Sequence, residues 1–365
     1  MEWERRVLIR TAKPGDGPSL LDLTRRCPME AAVSLAIERE PDFFALSRAR
    51  GSARTLVAEV DGRLAGCVSV ARRAAWVEAR PAEVTYVADL KVAPTHRSVG
   101  LGGRLVAAVL EEEARLGPAP LLATLAAGNR PVARLAGRHV GTRGLIGSVD
   151  VACLQLFAAR APRDAGLEIG RARPEDETEL AALLDGFYRE RQFAPVFADG
   201  GLQEILRRSP GLTLHDHFVA RRDGRIVATV ALWDQGAFKR IRLLRVTPML
   251  RVGLRVIGVA ARVFPLPVPP PPGKLLRLAF LRHPAHVPGA GAALAALLRA
   301  ATRYALAVGH HFAVLTAPRG DPLTRCARGI PRLSYRYRLL VGATAPLAAP
   351  PALTGRVVFD DAALS

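Results

Sequence analysis

Tyr86-Val-Ala-Asp-Leu-Lys-Val-Ala-Pro-Thr-His-Arg-Ser-Val-Gly-Leu-Gly-Gly-Arg-Leu105 is the stretch on which the reading of the chain turns. Its first seven residues are apolar or β-branched at alternate positions, the pattern of a half-buried strand ending at Val92. Pro94 has no N–H to give a ladder and stops it. The turn Arg97-Ser98-Val99-Gly100-Leu101-Gly102 follows, after which Leu101, Leu105, Val109 and Leu110 recur at helical spacing. A strand, a glycine turn and a helix start in that order make an anion site. Free N–H groups point into the turn, the helix dipole adds partial positive charge, and glycine admits a phosphate close to the backbone. Arg97 and Arg104 add side-chain charge.

Arg97-x-x-Gly100-x-Gly102, preceded by Leu90-x-Val92-x-Pro94, resembles the acetyl-CoA pyrophosphate loop of the GCN5-related N-acetyltransferase (GNAT) superfamily. An ordinary tight turn would not put strand, proline, arginine and both glycines in family register. The dinucleotide fingerprint Gly-x-Gly-x-x-Gly is not met, because Arg104-Leu105 stands where its third glycine belongs. The resemblance implies acetyl-CoA as co-substrate, held at Arg97, Ser98, Val99, Gly100, Leu101, Gly102, Gly103 and Arg104. It further implies that the backbone amides of Leu90 and Val92 face the acyl carbonyl and pantetheine arm, and that Asn129 faces the cofactor. The family often carries a tyrosine acid seven residues after that Asn; here the position is Ala136.

The 365 residues suffice for two domains, and with half of them apolar the chain is not disordered. No run of eighteen apolar residues occurs and Met1-Glu-Trp-Glu-Arg-Arg lacks a signal-peptide core, so a cytoplasmic location is expected. Cys27, Cys67, Cys153 and Cys326 are scattered without pairing or metal spacing. The net charge of +19 rests on 52 basic residues of which only four are lysine, a bias that matches GC-rich coding as well as a polyanion surface. Aromatics are 5% and no nucleic-acid-binding motif is present, so no dedicated nucleic-acid role is expected.

In order, Val7–Thr11 reads as a strand, Gly17–Arg26 and about Met29–Ala49 as helices, and Thr55–Val70 as a hairpin with an Asp61-Gly62 turn. Leu121–Ala126 reads as a strand, a short helix begins at Asn129, and Gly147–Phe157 closes the unit with one or two strands. The order β-α-α-β-β-β-α-β-α-β is the GNAT order, covering about residues 5–158. The second half repeats the first. Ile9–Asp16 matches Ile169–Asp176, Val57–Leu64 matches Val219–Ile226, and Gly100-Leu-Gly102 matches Gly289-Ala-Gly291. The expected fold is α+β: two tandem GNAT-like domains, 1–160 and 161–365, each a mostly antiparallel mixed sheet flanked by helices. The second carries an insertion at about 234–273, where Arg240, Arg242, Arg245, Arg251 and Arg255 precede the run Phe264–Gly273. That segment reads as a helix packed on its own domain, with a basic membrane-surface helix or a lid as alternatives.

Acetyl transfer to an amine needs a base or water chain, an oxyanion donor and a proton for the thiolate, but no metal and no covalent nucleophile. Glu83 and Asp89 are the base candidates; six residues apart on a regular strand, they share a face. The family often carries an acidic pair before Leu-x-Val, and here Ala88 replaces its first member. Tyr86, Tyr335 and Tyr337 are candidates for the missing acid. In the second copy His286-Val-Pro288-Gly289 replaces the arginine and removes an N–H, and Asp321 stands near the place of Asn129, so this copy is expected to be degenerate. His215-Asp-His217 and His310-His311 lack a third ligand, and no metal site is expected. The acceptor, a small-molecule or peptide amine, is not encoded in any readable motif, nor is the oligomeric state.

Overall fold

The computed structural model describes residues 7–29, 33–97, 99–126, 129–139, 144–157, 160–161, 166–247 and 270–365. Two Asp-Gly turns frame it. Asp61 and Gly62 (φ 51° and 73°), like Asp223 and Gly224 (φ 52° and 75°), take the paired positive φ of a type I′ hairpin, whose twist matches that of the strands it joins.

The first half runs β1 (Val7–Thr11), α1 (Gly17–Arg26), β2 (Val33–Glu38), α2 (Ala45–Arg50), β3 (Ser52–Val60), β4 (Arg63–Val77) and β5 (Arg80–Val92), then α3 (Leu101–Arg115), β6 (Pro120–Ala126), α4 (Arg130–His139) and β7 (Gly147–Leu156). The second begins with β8 (Glu168–Arg171), α5 (Glu177–Tyr188), β9 (Arg191–Gln192), β10 (Ala194–Pro195), α6 (Gly201–Arg208), β11 (His217–Arg222) and β12 (Arg225–Asp234). It continues with β13 (Arg240–Val246), β14 (Leu275–Leu276), β15 (Leu278–His286), α7 (Gly291–Ala307), β16 (Phe312–Pro318), α8 (Leu323–Cys326), β17 (Arg332–Ala343) and β18 (Val357–Val358).

One sheet crosses both halves in the order β1-β3-β4-β5-β6-β17-β7-β16-β15-β12-β11-β8, with β10 alongside β4. Its parallel pairs are β5·β6 and β15·β16, one in each half. The halves exchange their closing strands. β17 lies antiparallel to β6, β7 lies antiparallel to β16, and β7 and β17 pair with each other from Gly147↔Val341 to Leu156↔Arg332. The mixed α/β architecture expected from sequence is therefore present, knitted into a continuous sheet.

Helix α3 packs one face of the first half. Leu101, Leu105, Val109 and Leu110 are fully buried, the first three against Leu56, Val68 and Val70, each contributing about 1.5–3 kcal/mol by burial. Its inward Glu113 accepts from Arg72 Nε (2.8 Å) and Thr85 Oγ1 (2.9 Å), which pins the helix over β5. The opposite face carries α2, Tyr86, Phe193, Trp233 and residues 358–364 in one apolar cluster.

Two expectations fail here. The helix expected over Met29–Ala49 is strand β2 followed by the short α2. Val33, Leu35 and Ile37 alternate, and β2 finds its partner in β13, Val33↔Val246 to Glu38↔Arg240. The described part of the insertion is for the same reason a strand, held by Arg242 Nη2 donating to Glu38 Oε2 at 3.3 Å, and not a helix. Residues 248–269, with Arg251, Arg255 and most of the proline run, lie outside the described residues.

Candidate functional site

The site begins with a defect in a strand. Against β4, Cys67 pairs Lys91 and Ser69 pairs Ala88, so Asp89 and Leu90 together oppose Val68. This is a β-bulge, and Asp89 takes φ 53° to make it. The bulge bends β5 away from β6: their pairing covers Thr85↔Leu121, Tyr86↔Leu122 and Val87↔Ala123 and then stops. A cleft opens between residues 88–92 and the end of β6. Ala93 N donates to Ala65 O at 2.8 Å, so by strand alternation the N–H groups of Val92 and Leu90 point to the other edge, into the cleft. Gly66, opposite Val92, is required by this geometry. A Cβ there would lie 3.0 Å from the Leu105 side chain and 3.1 Å from Lys91 O.

The turn beyond the cleft has the geometry its sequence demands. Gly100 sits at φ 75° as the cap of α3, in open space, and its carbonyl accepts from Gly103 N (3.0 Å) and Arg104 N (3.2 Å). The N–H groups of Leu101 and Gly102 are left directed out of the helix end. A Cβ on Gly102 would meet only Val92 and Leu135 side chains, at 3.6 and 3.9 Å. Arg97 is exposed and its Nε reaches Val92 O at 3.3 Å; Arg104 and Val99 are half-buried, and Ser98 lies outside the described residues. Asn129 is exposed beyond β6, its Oδ1 accepting from Val132 N at 3.3 Å as a cap of α4. A cradle of N–H donors, helix dipole and guanidinium with open glycines fits a phosphate-bearing ligand such as CoA.

The two base candidates do not share a face, because the bulge breaks the alternation between them. Glu83 is exposed and accepts from Arg72 Nη1 (2.8 Å), whose Nε holds Glu113 of α3. Asp89 points the other way, its buried carboxylate between Arg39 Nη1 (3.0 Å) and Arg50 Nη1 (2.5 Å). Against the upward push of burial, those guanidiniums and Lys91 hold it well below the ordinary carboxylate range. A carboxylate so placed keeps its charge and anchors the bulge. Tyr86 is buried on the Asp89 side, its hydroxyl donating to Thr124 Oγ1 at 3.1 Å where β5 and β6 part, and burial pushes its pKa up.

Strand register places Tyr86, Leu122 and Thr124 on one face with Leu339 and Tyr337 of β17. The Tyr337 hydroxyl donates to Asp360, and Tyr335, one pleat along, is half-exposed. Asp360 is buried, and burial raises its pKa to about 6. Arg50, Arg73, Tyr86, Asp360, Asp361 and Leu364 line a narrow cleft here. Sequence reading missed Asp360, Arg39 and Arg50, because each is brought in by long-range packing. Cys67 and Cys153 are buried with thiols pushed up to about 12, as inert core residues are.

The second half has the same bulge. Opposite Val230, β15 places His283 (φ 50°) and Pro284, and the β15·β16 pairing stops at Leu281↔Leu315. Val287 N donates to Val227 O (2.9 Å), as Ala93 does to Ala65. Pro284 therefore stands where Leu90 stands and has no N–H. Tyr188 donates its hydroxyl to Pro284 O at 3.0 Å, and its ring packs against Phe197, Phe359 and His283, with Phe197 also meeting His283. From the bulge residue to the positive-φ glycine before the helix the first half spans twelve residues, Asp89 to Gly100, and the second only seven, His283 to Gly289. His217 and His283 are buried with neither ring nitrogen hydrogen-bonded, and desolvation lowers both, His217 to about 3. Among the described residues no group of three His, Cys, Asp or Glu is placed to hold a metal ion, and no helix is long and apolar enough to cross a membrane.

Residues 18–141 match the family described as Acetyltransferase (GNAT) family. No curated protein matches the chain. Among solved structures, a GCN5-related N-acetyltransferase from Sphaerobacter thermophilus is similar at TM-score 0.60 and 17% identity, over 93% of this chain and 96% of that one. A tandem GNAT protein from the clavulanic acid biosynthesis pathway gives TM-score 0.58 and 13% identity, over 93% and 99%. Saccharomyces cerevisiae N-myristoyltransferase with bound myristoyl-CoA gives 0.62 and 12%, over 93% and 82%. The bulged strand, its glycine-capped helix and the family match over the same residues agree: the chain has the GNAT fold, and its residues 18–141 match the GNAT acetyltransferase family.

Proposed function

We propose that the protein is an acyl-CoA-dependent N-acetyltransferase that moves an acetyl group from acetyl-CoA to a primary amine by direct attack in a ternary complex. The observation that carries this reading is the cleft at the Asp89–Leu90 bulge, which ends at a glycine-capped helix start. The pyrophosphate belongs on Arg97 to Arg104 and the pantetheine arm along Leu90 and Val92, whose N–H groups also suit the acyl oxygen. Acetyl-CoA supplies the activated thioester carbonyl. The protein's part is to orient it, to shield it between the splayed strands, and to manage the amine's protons. With Asp89 locked between two arginines, we assign it to holding the bulge open, and Glu83 to the far face.

The halves 1–160 and 161–365 divide the labour in this reading: the first holds the co-substrate, the second walls the acceptor groove and donates β17. The acceptor is a small-molecule or peptide amine. For the insertion at 234–273 this reading carries two roles, a membrane-surface contact or a lid over the groove.

Calorimetric titration with acetyl-CoA is the test, on wild type and on Arg97→Ala/Gly100→Asp. Asp tolerates positive φ but puts negative charge against the phosphates. One site, lost in the variant, supports the reading and justifies an amine screen; saturable binding with no turnover on any amine would favour a non-catalytic CoA-binding module. Two sites would mean that the second cleft also binds, and absence of binding would sink the enzyme reading.

A further inference from the structure

Resting on that acyltransferase reading, we propose that Asp360 is the group that takes the proton from the acceptor amine, with Tyr337 positioning its carboxylate. Asp360 lies on the face opposite α3 and shares a narrow buried cavity with Tyr86, whose hydroxyl reaches Thr124 where β5 and β6 part, so a proton leaving an acceptor in the cleft passes to it along that cavity. The neighbouring carboxylates are committed elsewhere. Asp361 accepts from Arg282 Nε at 2.7 Å, and Asp89 is held by Arg39 and Arg50. Asp360 has a neutral tyrosine hydroxyl instead.

Its surroundings leave it able to exchange a proton near neutrality. Burial raises it first and Asp361 adds to that, while the Tyr337 bond and Arg73 of β4 pull it down. Among the described residues Tyr86 of β5, Arg50 of α2 and Cys153 of β7 also face it. At pH 7 such a group is a carboxylate, yet it holds a captured proton far better than Asp89 can.

The step balances simply. R–NH₃⁺ gives one proton to Asp360, and the freed nitrogen lone pair attacks the thioester carbon. The C–N bond forms as the carbonyl π pair moves to oxygen, and its return breaks the C–S bond. The second nitrogen proton passes to the departing thiolate, and Asp360 releases its own to solvent.

The test measures kcat/KM against pH with acetyl-CoA and three probe amines: tyramine, glycinamide and spermidine. Wild type should fall tenfold per pH unit below about pH 6. Asp360→Asn should lose about 100-fold or more and the acid limb with it, while binding acetyl-CoA as wild type does. Tyr337→Phe removes a hydrogen bond to the charged form, so its limb should move to higher pH, which a packing role would not do. An Asp360→Asn enzyme that keeps rate and limb overturns the assignment. A reading without acceptor comes from carbon-13 NMR of carboxyl-labelled aspartate. A signal titrating near pH 6 and absent from Asp360→Asn supports the proposal; an Asp360 signal titrating near 4 overturns it. A wild type that binds no acetyl-CoA fails differently, taking the acyltransferase reading down first.

Discussion

The two clefts of this molecule start from the same device and reach opposite ends. Each has a bulge made by a non-glycine residue at positive φ, a parallel pair that stops three or four residues along, and a positive-φ glycine just before a helix. In the first half the bulge leads with Asp89-Leu90, which keeps an N–H at the cleft edge and ties its carboxylate behind the strand. In the second it leads with His283-Pro284, which loses that N–H and puts a neutral, desolvated ring among aromatics. Tyr188 then occupies the edge carbonyl and the loop is five residues shorter. Shared backbone geometry builds the opening; what can enter is decided by which residues supply donors and which fill the space.

The comparison breaks hardest at Asp89. Asp89→Asn leaves Arg39 and Arg50 buried without a counter-charge and should destabilise by about 3–5 kcal/mol in chemical denaturation. Loss of under 1 kcal/mol would mean the bulge stands without its anchor. Next comes the glycine cap. Gly100→Val forces a β-branched residue to φ 75° and should weaken acetyl-CoA binding at least tenfold, whereas Gly289→Val should leave it unchanged. An equal effect from both would show the second cleft to be a ligand site after all.

The histidines sharpen the contrast through pH. His217 has a folded pKa depressed to about 3, so its stabilising contribution is whole above the unfolded value of about 6.5 and is lost as pH falls from there towards 3. His217→Leu should flatten that part of the stability curve, read by urea midpoints across pH; an unchanged slope would assign acid sensitivity elsewhere. The smallest effect is Arg97→Ala. An exposed guanidinium is screened by salt, so a loss of a few-fold in acetyl-CoA affinity should shrink as ionic strength rises.

Much of this was legible in the chain because it is local. The strand ending at Val92, the cap at Gly100 and the Asp61-Gly62 hairpin each declare themselves within a dozen residues. What was not legible depends on partners far away. Val33–Glu38 has a strand's alternation, but it is β13, some two hundred residues on, that makes it one. The shared face expected of Glu83 and Asp89 fails because one extra residue inverts parity, and nothing in Ala88-Asp89-Leu90 announces a bulge. Asp360 carries no motif, and only the fold brings it beside Tyr337.

The exchange of β7 and β17 has a consequence for how the molecule comes into being. Residues 120–126 can pair at once with β5, but their other edge waits for residues 332–343. On a ribosome adding about 5–20 residues per second, that edge stays bare for roughly ten seconds or more. A bare, apolar edge such as Leu121-Leu-Ala-Thr-Leu125 is a template for misplaced pairing in the interval. The half with the proposed co-substrate site is thus the first to be synthesised and among the last to be finished, and it should mature as one cooperative unit with its partner.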